Sequence, residues 1–209
     1  MPRPLRLVRG ALRRLDSLMT RMALPVAERA PTGTAGQREN LETFFRELPA
    51  DAAAREYIGT HLHRLVTTMS LVPVAPPNGV ARALELGAYM QMTPALGAVC
   101  GYAEVRGADF GPRGETVRKT LSLRSGEFTC DIDLFDAERD TFPYPDGHFA
   151  VVLCCEMIEH LLYDPMHMLL EIRRILEPGG KLILTTPNCA SLTSLACALH
   201  GRHNPQIFA

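Results

Sequence analysis

From residue 81 onward, short and almost uninterrupted apolar runs alternate with segments of helical or loop character, and that alternation leaves few folds open. FAVVLCCEM (149–157) and KLILTTP (181–187) lack the strict apolar–polar alternation of a strand with one wet face. Near-continuous runs of this kind suit strands covered by helices on both faces. ARALELG (81–87), GYAEVRGADF (101–110) and EFTCDIDLF (127–135) supply three further strands. Between the last two of the five lies a helix with visible ends. Asp164 can cap it, Pro165 suits its first turn, and Met168, Leu169, Ile172, Ile175 and Leu176 form its apolar face. Pro178-Gly179-Gly180 is expected to stop it. The expected fold class is α/β, a doubly wound, mainly parallel sheet preceded by an N-terminal helical extension.

The region before residue 81 reads differently. Residues 1–24 form a basic amphipathic pattern, with Leu5, Val8, Leu12, Leu15, Leu18, Met19 and Met22 at helical spacing and Arg between them. Seven Arg against Asp16 and Glu28 give the first 30 residues a charge of +5, leaving −6 for the rest of a chain whose net charge is −1. Such a helix suits peripheral contact with an anionic membrane surface, and equally a solvated or partner-packed extension. Residues 25–36 read as a linker. Residues 37–70 read as helical, divided by Pro49 and Gly59, and VPVAPPNGV (72–80) ends them. The expected division is therefore 1–24, a linker and helical cap over 25–80, and a ligand-binding domain over 81–209. The small net charge gives no sign of a nucleic-acid partner. The N-terminus has no clean apolar run with a cleavage site, and no stretch reaches the roughly 18 apolar residues that span a bilayer. Six cysteines without a C-x-x-C pair fit free thiols in a reducing, cytoplasmic setting.

In a doubly wound sheet, ligands bind where the strands end. Glu85 and Gly87 end the first strand, and a glycine there lets the backbone approach a ligand closely. Asp109, 24 residues beyond Glu85, ends the second and can accept hydrogen bonds from both hydroxyls of a ribose. Asp131, Asp133 and Asp136 superficially suggest a calcium loop, but Phe135 stands where a ligand is needed and Asp136 where a glycine is needed. A carboxylate from this region can instead take the exocyclic amine of adenine. Glu156 and His160 follow the fourth strand. Both are candidates for cofactor or substrate contacts and His160 for a base, though the same residues can also cap and buttress the turn. His61 with His63 and His160 with His167 have no matching cysteines, so no metal site is expected.

The stretch FPYPDGHFAVVLCCEMIEHLLYDPMHMLLEIRRILEPGGKLILTTPN resembles the central part of class I S-adenosylmethionine-dependent methyltransferases, a Rossmann-like family. ALELGA (83–88) resembles their first cofactor motif and GAD (107–109) their ribose-binding acid, so the resemblance covers about residues 81–190. It implies S-adenosylmethionine as cofactor and methyl transfer to an acceptor, a small molecule or a sugar. It also implies that Glu85, Gly87 and Ala88 line the methionine end, that Asp109 binds the ribose, and that Asp133, Leu134 or Asp136 contacts the adenine. Cys155 and Glu156 then lie beside the sulfonium. The reaction is an in-line displacement in which the protein chiefly orients the partners and excludes water, so a base such as His160 is optional.

Two departures from the family pattern stand out. The first motif, Glu85-Leu86-Gly87-Ala88-Tyr89-Met90-Gln91, keeps only one of the usual glycines, and Tyr89 and Met90 are expected to crowd the cofactor. Only 22 residues follow Pro187, too few for a helix and the two further strands of a full family sheet. These departures keep open a catalytically inactive binding or scaffold module. A nicotinamide-dependent oxidoreductase is the other alternative, but GAYMQM (87–92) does not supply the G-x-G-x-x-G it requires.

Overall fold

The computed structural model describes residues 35–49, 51–77, 79–188 and 199–200. The basic pattern of residues 1–24, Cys189, Cys197 and nearly all of the chain beyond Asn188 lie outside the described residues.

Two helices precede the sheet, α1 (Ala35–Glu47) and α2 (Ala52–Ser70). Pro49 separates them. Asp51 starts α2 by accepting the Ala54 N–H at 2.8 Å on its side chain, a standard cap for an otherwise orphaned donor. Gly59, expected to divide the segment, lies inside α2; a single glycine weakens a helix without breaking it when the apolar face on either side is buried. That face (Ile58, Leu65, Val66, Met69) packs against Leu41 and Phe45 of α1.

The sheet follows: β1 (Arg82–Leu86), the short α3 (Thr93–Ala98), β2 (Glu104–Asp109), β3 (Thr116–Leu123), β4 (Gly126–Leu134), β5 (Phe149–Cys155), α4 (Pro165–Ile175) and β6 (Leu176–Thr185). The strand order is β3-β4-β2-β1-β5-β6. All neighbours are parallel except β3 and β4. Alternate residues of β1 and β5 serve opposite faces. Ala83, Val151 and Leu153 pack under α1, α2 and α3, whereas Leu84, Leu86, Val152 and Cys154 pack under α4 with Phe142, Tyr144 and Phe149. Burial on both faces is why these strands read as unbroken apolar runs.

Two elements differ from the sequence expectation. β3 was not foreseen. TVRKTLSL is an edge strand, largely exposed on both faces, so it needs no long apolar run and gives a weak signal. It stands where a crossover helix would join two parallel strands. The second difference concerns α4, which is capped by Asp164 (accepting from the His167 N–H at 3.0 Å) but ends at Ile175, before Pro178-Gly179-Gly180. Leu176 is already extended and paired with Phe149, and Pro178-Gly179-Gly180 forms an irregularity within β6. Pairing with the buried β5 outcompetes another half-turn of helix. Gly180 fits because a Cβ there would come within 2.9 Å of the Glu177 carbonyl oxygen.

The chain builds outward from β1 through β2 and β4, then returns to place β5 and β6 on the other side. This reversal opens a crevice between the carboxyl ends of β1 and β5. Its floor depends on close packing of the turn after β1 over β2, where a Cβ on Gly107 would stand 2.8 Å from the Ala88 Cβ and 3.0 Å from Ile132 Cγ1. Gly107→Ala is therefore predicted to destabilise the fold by about 1–3 kcal/mol, as overpacking of a rigid site does, read as a lower urea midpoint. An unchanged midpoint would show that the turn yields freely.

Candidate functional site

A cleft of about 560 Å³ occupies this crevice, within the usual range for small-molecule sites. Gly87 forms its floor at the end of β1. Its φ of 68° is left-handed, open to glycine without strain. Met90 shares that conformation, with φ 66°, at a cost that a non-glycine residue bears. The turn sends the Met90 side chain into a small core with Ala88, Cys130 and Ile132, only 7% exposed. Tyr89 stands on the rim, 70% exposed. The expected crowding by Met90 is thus corrected, because backbone direction carries its bulk out of the cleft.

Of the ten residues picked from the sequence, six line the cleft: Gly87, Asp109, Asp136, Cys155, Glu156 and His160. Asp109 accepts the Phe110 N–H at 2.8 Å on one oxygen, and its other oxygen has no protein partner among the described residues. Asp136 accepts the Glu138 N–H at 2.9 Å in a local turn and stands 3.8 Å from Arg139 Nε. Glu156 is held in a left-handed conformation, φ 53°, by ties on three sides. Its N–H donates to the Thr185 carbonyl at 3.0 Å, one carboxylate oxygen accepts from the Thr185 hydroxyl at 2.8 Å, and the other pairs with Arg64 Nη1 at 3.2 Å. Strain held in place this way is common at functional sites. Burial pushes the Cys155 thiol up to about 12, so it faces the cleft as a neutral group.

The other four stand elsewhere. Glu85 is 3% exposed and takes a hydrogen bond from the Thr93 hydroxyl beneath the turn. Ala88 is fully buried. Asp133 lies outside the cleft, one pleat back from Phe135 on the sheet face that it shares with Ala108 and Leu86. There it binds Arg106 Nη2 at 2.6 Å, the Thr116 hydroxyl at 2.8 Å and the Tyr144 hydroxyl at 2.8 Å. Leu134 packs with the small core of Cys130 and Ile132. Of the three residues left open for the adenine side, Asp136 is the one at the cleft.

Several cleft residues carried no sequence signal of their own. Tyr57 reaches it from α2, and Phe110, Met157, Leu162 and Tyr163 add apolar surface. Glu138 accepts backbone N–H groups from Leu162, Tyr163 and Asp164 at 3.2, 2.5 and 2.7 Å, fixing that loop as one wall. Desolvation acts to raise its carboxyl, but these three donors prevail and hold it below the usual range. Arg139 lies over the Tyr163 ring, 4.3 Å from its centre. The D-A-E triplet after the third expected strand was visible, but nothing local showed that its glutamate would meet a loop 24 residues away.

Burial pushes Glu85 up to about 7 despite the opposing bonds from Thr93. A raised native pKa means that the folded state holds a proton the unfolded chain has released. This contribution to stability is full below about pH 4.5 and is lost as pH rises towards 7, by roughly 3 kcal/mol in all. Glu85→Gln is predicted to flatten that loss, measured as urea midpoints from pH 5 to pH 8. Parallel curves for the two proteins would contradict it.

Residues 84–184 match the family model for the methyltransferase domain. The ubiquinone biosynthesis O-methyltransferase of Cereibacter sphaeroides is 37% identical over 86 residues, which is 41% of this chain and 33% of that protein. Its counterpart in Pseudomonas aeruginosa is 36% identical over 86 residues, 41% of this chain and 36% of that one. The aligned part thus spans about a third of these curated relatives. A SAM dependent methyltransferase of Archaeoglobus fulgidus superimposes with a TM-score of 0.44 and 19% identity, covering 79% of this chain and 65% of that one. The sheet order, the matched motifs and the cleft together support a class I S-adenosylmethionine-dependent methyltransferase domain over residues 84–184.

Proposed function

We propose that the chain binds S-adenosylmethionine in this cleft and transfers its methyl group to an oxygen of a small-molecule acceptor. The observation that carries the reading is electrostatic. Asp109, Asp136, Glu138 and Glu156 line the cleft against one arginine, Arg139. A ligand with a sulfonium and an ammonium group suits such a site, whereas a dinucleotide would bring its phosphates against four carboxylates. The nicotinamide alternative is disfavoured on that ground as well as by its missing glycines.

The residues fit the group. Gly87 lets the backbone pass close to the methionine portion, the open oxygen of Asp109 faces where ribose hydroxyls belong, and Asp136 stands toward the base. Cys155 and Glu156 border the methyl end. Glu85 acts from below, holding the turn through Thr93. When bound, the cofactor supplies a methyl group activated on sulfur. Protein walls from the Glu138-anchored loop and α2 exclude water and orient the acceptor. The oxygen acceptor is suggested by relatives named as O-methyltransferases.

Calorimetry of the full chain with S-adenosylmethionine tests this. Saturable binding is expected, and Asp109→Ala is expected to weaken it about tenfold or more, the worth of charge-assisted hydrogen bonds to hydroxyls. No detectable binding by the unmutated chain would overturn the reading.

A further inference from the structure

A second pocket, of about 230 Å³, shares no lining residue with the cleft. It lies where three parallel strands begin: Arg82, Glu104 and Phe149 are the first residues of β1, β2 and β5. Arg82 pairs with Glu104, and Arg106 follows Glu104 by two residues, so the two arginines stand on one face of the sheet. The loop before β5 closes the pocket with Pro143, Pro145 and His148. Its back wall is the Tyr144 ring, 8% exposed and packed edge-on against Phe149 with centres 4.9 Å apart.

Most of the charge here is already paired, and two groups are left over. Arg106 binds Asp133 at 2.6 Å through Nη2 and Asp131 at 3.2 Å through Nη1, and Arg118 Nε binds Asp131 at 2.7 Å. Asp133 also accepts the Tyr144 hydroxyl at 2.8 Å, and Asp146 of the same loop is turned to Arg174 at 2.8 Å. Arg82 meets Glu104 through Nε alone, at 2.7 Å, and its two Nη groups have no protein partner among the described residues. Nor do the ring nitrogens of His148, whose ring stands edge-on to Phe149 with centres 4.8 Å apart. Burial first, then the nearby Arg82, hold this imidazole below its ordinary value; Glu104 opposes them and Arg106 adds to them. At neutral pH the ring is therefore uncharged and lies in a field dominated by guanidinium groups. The hydrogen-bonding capacity left in the pocket is that of donors, the Arg82 Nη groups and an imidazole N–H. The volume is below the roughly 300 Å³ at which sites for larger organic ligands begin, and suits an ion or a small acid.

We propose that this pocket is a second ligand site, for a small oxyanion of the phosphate or carboxylate class held between the Arg82 Nη groups and the His148 ring. The planar guanidinium presents two parallel donors to such a group. The anion's charge offsets the field that keeps His148 neutral, so the ring takes up a proton as the anion binds. Affinity therefore rises as the pH falls through the imidazole range, because the bound state holds the proton more tightly than the free one.

Titration of the full chain with sulfate from pH 5 to pH 8, a range in which the probe keeps its charge, is the test. Calorimetry gives the affinity and the NMR signals of the His148 ring give its protonation. Inorganic phosphate and malonate are the arms that separate a tetrahedral from a carboxylate ligand: tighter binding of phosphate assigns a phosphoryl group, and the reverse a carboxylate. Sulfate is expected to bind saturably in the millimolar range, about tenfold more tightly at pH 5 than at pH 8, and to raise the His148 midpoint by about one pH unit. Arg82→Gln is expected to weaken binding about tenfold or more, the scale of a lost charge-assisted pair of hydrogen bonds. His148→Gln is expected to bind sulfate at pH 8 as the unmutated chain does and to lose the gain at low pH. No saturable change at His148 with any of the three anions, equal affinity in Arg82→Gln, or an affinity that ignores pH in the unmutated chain would each overturn the proposal.

Discussion

The structure depends on β1 and β5 lying side by side, buried on both faces, while the chain leaves them in opposite directions. Burial on two faces makes this pair the most strongly determined part of the sheet. Opposite departures leave their carboxyl ends uncovered, and the cleft forms there. Gly87 and Glu156 are the residues at which the two strands stop, and both turn through left-handed backbone.

Polar groups in the molecule divide by the partners they meet. Behind the cleft, Asp131 and Asp133 are consumed by Arg106, Arg118, Thr116 and Tyr144. At the cleft, carboxylates are only partly compensated, and Asp109 has an oxygen to spare. The same residue type is thus structural behind the cleft and available to a ligand within it. Satisfied buried charges rigidify, whereas an uncompensated carboxylate in a cleft attracts a cation.

α2 gives the cleft a wall that the sheet alone lacks. Its inner face packs on α1 and the sheet through Ile58, Leu65 and Met69, and a neighbouring stripe carries Tyr57, His61 and Arg64 to the end of β5. One helix therefore contributes to core stability and to the shape of the site at once. Glu138 performs a similar service on the other side, converting the loop over residues 161–164 into a fixed edge.

The sequence by itself determined the α/β class, the five parallel strands, the cap of α4 at Asp164 and the strand-end positions Gly87, Asp109, Glu156 and His160. These depend on local chemistry, namely apolar runs, capping residues and glycine, which a linear reading can see. Tertiary structure alone decided which carboxylates face the cleft. Arg106, Thr116 and Tyr144 take up Asp133, whereas the loop after β4 brings Asp136 to the cleft. It also decided that Met90 points inward, that β3 fills an edge, that Leu176 joins β6 instead of extending α4, and that Arg64 meets Glu156 across 92 residues of chain. Each outcome depends on which surface the rest of the fold leaves open or buried, and no local segment encodes that.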